Sequence, residues 1–100
     1  IAKGGASLLA EDAIAVIRDE LMPVAAIVTP NAPEAEALTG IEVRDLDGQM
    51  DAADVLVNRL GAWSALVKGG HIAGEIVRDV LLTRDGYRVF ESPRIESRAT

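Results

Sequence analysis

Two short segments combine residue types that handle phosphate and magnesium. The first is Thr29-Pro30-Asn31-Ala32-Pro33-Glu34. Asn31 offers a neutral amide at a turn, and Glu34 offers a carboxylate in the first turn of the helix that Pro33 opens. Held together, they would orient a hydrated Mg²⁺, an ion that keeps several waters and uses few carboxylates. The same residues also make a purely structural unit: an Asx turn, a helix-initiating proline and an acid well placed on the helix dipole. The second segment is Lys68-Gly69-Gly70-His71. Its glycines let backbone approach a phosphate closely, and its lysine adds a mobile positive charge. The plain alternative is a sharp turn with a solvated lysine. Neither a Walker A pattern nor a dinucleotide fingerprint is present.

Other chemistries find little support. His71 is the only histidine and there is no cysteine, which removes multi-histidine metal sites, thiol catalysis and disulfides from this stretch. A lone histidine after two glycines reads as a turn residue. Ser7, Ser64, Ser92 and Ser97 lack the context of an activated nucleophile. The acidic pairs Glu11-Asp12 and Asp19-Glu20, with Asp45, Asp47, Asp51 and Asp54, read as solvated faces and caps. Lys3-Gly4-Gly5 reads as a flexible loop. A net charge of -6 opposes nucleic-acid binding. Trp63 and Tyr87, two of three aromatics, read as packing residues.

The elements that must position the two loops follow from periodicity. With 49% hydrophobic and 26% charged residues, the chain of 100 residues suits one soluble globular domain or part of one. No run approaches the roughly 20 apolar residues that cross a bilayer, and residues 1–5 lack a secretory signal, so the cytoplasm is the default setting. Ala10, Ile14, Ile17 and Leu21 recur at helical spacing, ended by Pro23. Residues 24–28 form an apolar, β-branched run that reads as a buried strand. A short helix over 33–39 ends at Gly40. Met50, Ala53, Val57 and Leu60 mark the main crossover helix, capped by Asp47 and stopped by Gly61. Residues 64–67 give the next strand, and 76–83 with 87–91 flank Asp85-Gly86 as a hairpin. The class is α/β, with two parallel strands joined by a right-handed helical crossover and an antiparallel hairpin at one side. Ligands of such sheets bind beyond the carboxyl ends of the strands, where both loops fall.

The ordered set Ala2-Lys3-Gly4-Gly5, Thr29-Pro30-Asn31-Ala32-Pro33-Glu34-Ala35-Glu36-Ala37-Leu38-Thr39-Gly40, Val67-Lys68-Gly69-Gly70-His71 and Ser92-Pro93-Arg94-Ile95 resembles the hydroxymethylpyrimidine/phosphomethylpyrimidine kinases of thiamine biosynthesis. Asn-x-x-Glu is common to ribokinase-like kinases, while Lys-Gly-Gly-His is more specific and argues against the pyridoxal kinases. The resemblance implies part of a ribokinase-like three-layer α/β/α sandwich that phosphorylates hydroxymethylpyrimidine and its monophosphate from ATP. It assigns nucleotide and phosphate binding to Lys68, Gly69, Gly70 and Asn31, and Mg²⁺, through water, to Glu34 and Asn31. It leaves room for a homodimer.

The chain opens without methionine and closes on Arg98-Ala99-Thr100, so residues 1–100 read as an internal slice of that kinase domain. In the family, the first strands and most pyrimidine contacts precede it. The glycine-rich anion hole, His-Gly-Thr-Gly-Cys, and the catalytic base lie beyond Thr100. No catalytic residue is therefore expected within the slice, and the slice alone should be inactive. The alternatives are a pyridoxal-type kinase or a non-catalytic nucleotide-binding module.

Overall fold

The computed structural model describes residues 10–95. The motif Ala2-Lys3-Gly4-Gly5 and Ser7 and Ser97 lie outside them. The chain begins with α1, Glu11–Val16, which widens into a π turn over Ile17–Leu21 and tightens into a 3₁₀ turn over Met22–Val24. Pro23 does not stop the helix at once. It sits in the first positions of the 3₁₀ turn, where its fixed φ suits the tightening of the chain. Of the periodic residues, Ile14 and Ile17 pack on the core while Ala10 and Leu21 face outward. Met22, which no repeat marked, is fully buried.

Val24 closes the 3₁₀ turn, and the rest of the apolar run, residues 25–28, lies beside the strand that follows the crossover. Parallel bridges join Val28 to Ala65 and Asn31 to Lys68. Backbone bonds from Trp63 to Ala25, Val28 to Ser64, Leu66 to Val28 and Lys68 to Pro30 fix the register. The expected parallel pair is therefore present as two isolated bridges. Val24 and Ile27 remain exposed, so the run is not buried on both faces.

Two helices form the crossover. The first, α2, spans Ala32–Thr39 and ends at Gly40, as the Pro33 and Gly40 signals predict. The second, α3, spans Leu46–Asp54 and continues as a π turn over Val55–Arg59. Its cap is Asp45, not Asp47: the Asp45 carboxylate accepts the Gly48 N–H at 2.9 Å, while Asp47 lies in the first turn. Only Asp45 has the extended backbone that turns a cap side chain back onto the helix.

Three strands make the sheet: β1, Ala65–Val67; β2, Ile76–Thr83; and β3, Gly86–Pro93. Their order is β1-β2-β3 and both pairings are antiparallel. The hairpin pairs Thr83 with Gly86, leaving Arg84 and Asp85 as the loop. Gly86 carries the positive φ, 111°, and no other residue type does so among those described. The Asp-Gly signal thus marks a turn whose last residue is glycine, rather than two mirror-image turn positions.

Strand alternation divides the sheet. Ala65, Val67, Val80 and Leu82 are buried, and α3 packs against β1 and β2. Ala35, Leu38, Ala52, Ala53 and Leu56 complete that core. The small alanines let the helices approach closely. The opposite face carries Ile27, Leu66, Leu81 and Phe90, and Phe90 is 46% exposed. Gln49 is the one buried polar side chain among the described residues, and its amide donates to the carbonyls of Val67 and Arg78 at 3.1 and 2.7 Å. It joins α3 to the ends of both strands.

Candidate functional site

The parallel bridge decides what the two loops become. Asn31 pairs with Lys68, and the Lys68 N–H donates to the Pro30 carbonyl at 2.9 Å. Both residues therefore sit at the carboxyl ends of neighbouring extended segments, where open α/β sheets receive ligands. An open cavity of about 750 Å³ lies there, lined by Asn31, Lys68, Gly70, His71, Val77 and the 93–95 segment. Lys68 is exposed and has no ion-pair partner among the described residues.

Asn31 and Glu34 form a complete capping box. The Asn31 side-chain oxygen accepts the Glu34 N–H at 2.8 Å, and Glu34 Oε1 accepts the Asn31 N–H at 3.0 Å. The structural reading of this pair is thus realised in full, and such a cap contributes about 1 kcal/mol. It does not exhaust the residues. Glu34 Oε2 and the Asn31 side-chain NH₂ have no hydrogen-bond partner among the described residues. Glu34 lines a separate depression of about 290 Å³ with Thr29, Pro30 and apolar side chains such as Ile17 and Leu38. The structure joins Asn31 to Lys68 on one side and to Glu34 on the other, but Glu34 does not line the larger cavity.

The two glycines separate. A Cβ on Gly69 would lie 2.0 Å from the Arg78 carbonyl oxygen and 2.9 Å from the Gln49 amide, so β2 itself requires glycine there. The Gly69 N–H is bound to the Asp79 carboxylate at 2.9 Å. A Cβ on Gly70 would meet nothing within 4 Å, and Gly70 lines the cavity. Gly70 thus presents bare backbone to the cavity, while Gly69 is accounted for by packing. His71 also lines the cavity.

Two residues make contacts that the sequence does not announce, although Arg94 stands in the segment Ser92-Pro93-Arg94-Ile95 that carries part of the resemblance. Gln49 fixes the point where Gly69 meets β2. Arg94, just past β3, donates to the carbonyls of Gly74 at 2.7 Å and Gly70 at 2.9 Å, and to that of Ile72. Nothing in their neighbourhoods along the chain signals either contact.

A sequence model of the family named phosphomethylpyrimidine kinase matches residues 1–100. The chain belongs to the phosphomethylpyrimidine kinase family. Within that family it is 46% identical over 101 residues to the thiamine biosynthesis bifunctional protein ThiED of Geobacter sulfurreducens, covering 100% of this chain and 20% of that protein. It is 36% identical to a hydroxymethylpyrimidine/phosphomethylpyrimidine kinase of Staphylococcus aureus, covering 100% of this chain and 37% of the relative. The chain therefore spans a fifth to somewhat over a third of these relatives.

Solved structures agree on the family's fold. The phosphomethylpyrimidine kinase of Clostridium difficile superposes with a TM-score of 0.74 at 36% identity, over 85% of this chain and 36% of that one. An ADP complex of Bacillus subtilis pyridoxal kinase gives 0.83 at 30% identity, over 93% and 36%. The neighbours are ribokinase-like kinases. Among the described residues no helix is long and apolar enough to cross a membrane.

Proposed function

We propose that the complete protein phosphorylates hydroxymethylpyrimidine and hydroxymethylpyrimidine phosphate from ATP, in the cytoplasm, as a step of thiamine biosynthesis. The observation that carries this reading is the pairing of Asn31 with Lys68 at the mouth of the cavity, in a chain matched over its whole length by the kinase family. Lys68 meets the transferred phosphate and neutralises the charge that builds up between donor and acceptor. Gly70 offers backbone beside it. Positioning and charge neutralisation supply most of the acceleration in phosphoryl transfer, so a site of this plain composition suffices.

Mg²⁺ fits the residues present in a limited way. No group of three potential ligands occurs among the described residues, so direct multidentate coordination is not offered. The free carboxylate oxygen of Glu34 suits an ion held through its waters, while the Asn31 amide, whose oxygen accepts within the cap, leaves an NH₂ that suits a phosphate oxygen better than a metal-bound water. When bound, the ion offsets negative charge on the nucleotide phosphates. The chain spans a fifth to somewhat over a third of the ThiED and Staphylococcus aureus relatives, and on this reading the complete protein supplies the remaining strands of a three-layer α/β/α sandwich, the pyrimidine contacts and the base from its other parts. The apolar sheet face at Ile27, Leu66, Leu81 and Phe90 is where a second helical layer would pack.

A second reading is a pyridoxal-type kinase, favoured by the 0.83 TM-score to the Bacillus subtilis enzyme. ADP release by the complete protein separates the two when the pyrimidine, its monophosphate and pyridoxal are supplied in turn with Mg-ATP. Release with either pyrimidine supports the first reading. Release with pyridoxal alone supports the second, and release with none contradicts both.

A further inference from the structure

The segment between β1 and β2 has little of its own to hold it. Residues 70, 71 and 73–75 are exposed, and only Ile72 packs partly on the core. Its entrance is fixed by Gly69, wedged under Arg78 and bound to Asp79. Beyond that, one internal bond, from the Ile72 N–H to the Gly69 carbonyl at 3.0 Å, closes a turn. The rest of the restraint comes from Arg94. Its Nε and both terminal nitrogens donate to Gly74, Gly70 and Ile72, and its own N–H donates to the Glu75 carbonyl at 2.8 Å.

We infer that Arg94 is a positioning residue for nucleotide binding: it gathers three carbonyls of the 70–74 loop onto one guanidinium and so sets the loop beside Lys68. Carbonyl oxygens are the wrong partners for a phosphate. Left unbound, that of Gly70, which lines the cavity, would be free to turn toward an anion held by Lys68 and repel it. A guanidinium prevents this in two ways, because its planar fork satisfies several acceptors at once and its charge stays on the cavity wall. Lysine, with donors radiating from one point, cannot reproduce the fork.

This inference rests on the nucleotide-binding reading above, and its test separates the two. In the complete protein, hydrogen exchange at the Ile72 amide and Mg-ATP affinity by calorimetry are compared for wild type, Arg94→Ala and Arg94→Lys. Amides of β2 and β3 serve as the folding control. Losing charge-assisted bonds should speed Ile72 exchange and weaken Mg-ATP binding by about tenfold or more. β2 and β3 should exchange as in wild type. Arg94→Lys should stay close to Arg94→Ala, and added guanidinium ion should partly restore nucleotide affinity in Arg94→Ala alone. Unchanged exchange and affinity in both variants would overturn the positioning role and leave the kinase reading intact. Parallel losses across β2 and β3 would also overturn it, marking Arg94 as a general stability residue. Nucleotide binding that depends on Arg94 without any phosphoryl transfer would overturn the kinase reading instead. A wild type that does not bind Mg-ATP would overturn both.

Discussion

Glu34 and Asn31 hold each other's backbone N–H groups in a reciprocal cap, at 3.0 and 2.8 Å, at the start of α2. The pair is a helix cap first, and any role toward a metal uses the atoms the cap leaves over. Glu34→Gln separates the two, because glutamine preserves the capping box while removing the charge. In the complete protein the substitution should change unfolding free energy by no more than about 0.5 kcal/mol. The Mg²⁺ concentration for half-maximal ADP release should rise severalfold. A large stability loss with an unchanged Mg²⁺ dependence would assign Glu34 to the cap alone.

The adjacent glycines should respond in opposite ways. Gly69→Ala drives a Cβ into the Arg78 carbonyl, a clash with backbone that β2 can relieve only by moving. The cost should be about 1–3 kcal/mol or more in urea unfolding. Gly70→Ala meets no atom within 4 Å and its φ is not among the positive ones, so stability should hold within about 0.5 kcal/mol. Its effect should fall instead on the affinity for Mg-ATP.

Gln49 joins α3 to both strand ends from a fully buried position. Gln49→Leu keeps the approximate volume but leaves the carbonyls of Val67 and Arg78 without that donor. An unsatisfied buried group costs about 1–3 kcal/mol, so unfolding should shift by that amount or more. The same variant should loosen Gly69, visible as faster exchange of its amide.

Tyr87 reaches from β3 toward α3, where its hydroxyl donates to the Met50 carbonyl at 3.4 Å. Burial raises its pKa above the ordinary 10.0, and the carboxylates of Asp54 and then Asp51 push it the same way. The folded value therefore exceeds the unfolded one. This contribution to stability is complete below the unfolded value and is lost as pH rises through the folded value. Urea midpoints measured from about pH 8 to 11 should fall with pH, and less steeply in Tyr87→Phe.

Much of this arrangement is legible in the sequence, and the exceptions share a cause. Pro33 and Gly40 bound α2 by local rules, and the handedness of strand-helix-strand crossovers places Asn31 beside Lys68. Asp45 and Asp47 both stand within reach of the helix start, and only the extended backbone at Asp45 chooses between them. Gly69 and Gly70 look alike in sequence, and their difference arises from β2, which returns against one of them. Gln49 and Arg94 bind carbonyls 18 to 29 residues away. Backbone acceptors have no sequence signature, so such contacts emerge only from the folded chain.

Lys68 carries the central claim. It is exposed, follows β1 directly, and faces the cavity with no ion pair among the described residues, so replacing it should leave folding untouched. The most direct measurement is steady-state phosphorylation of hydroxymethylpyrimidine phosphate by the complete protein, comparing wild type with Lys68→Ala at matched melting temperature. A positioned cation at the transferred phosphate should be worth about 10²–10³ in kcat/KM. Equal activity in the two proteins would contradict the account, since a lysine that only ends a turn has no part in phosphoryl transfer.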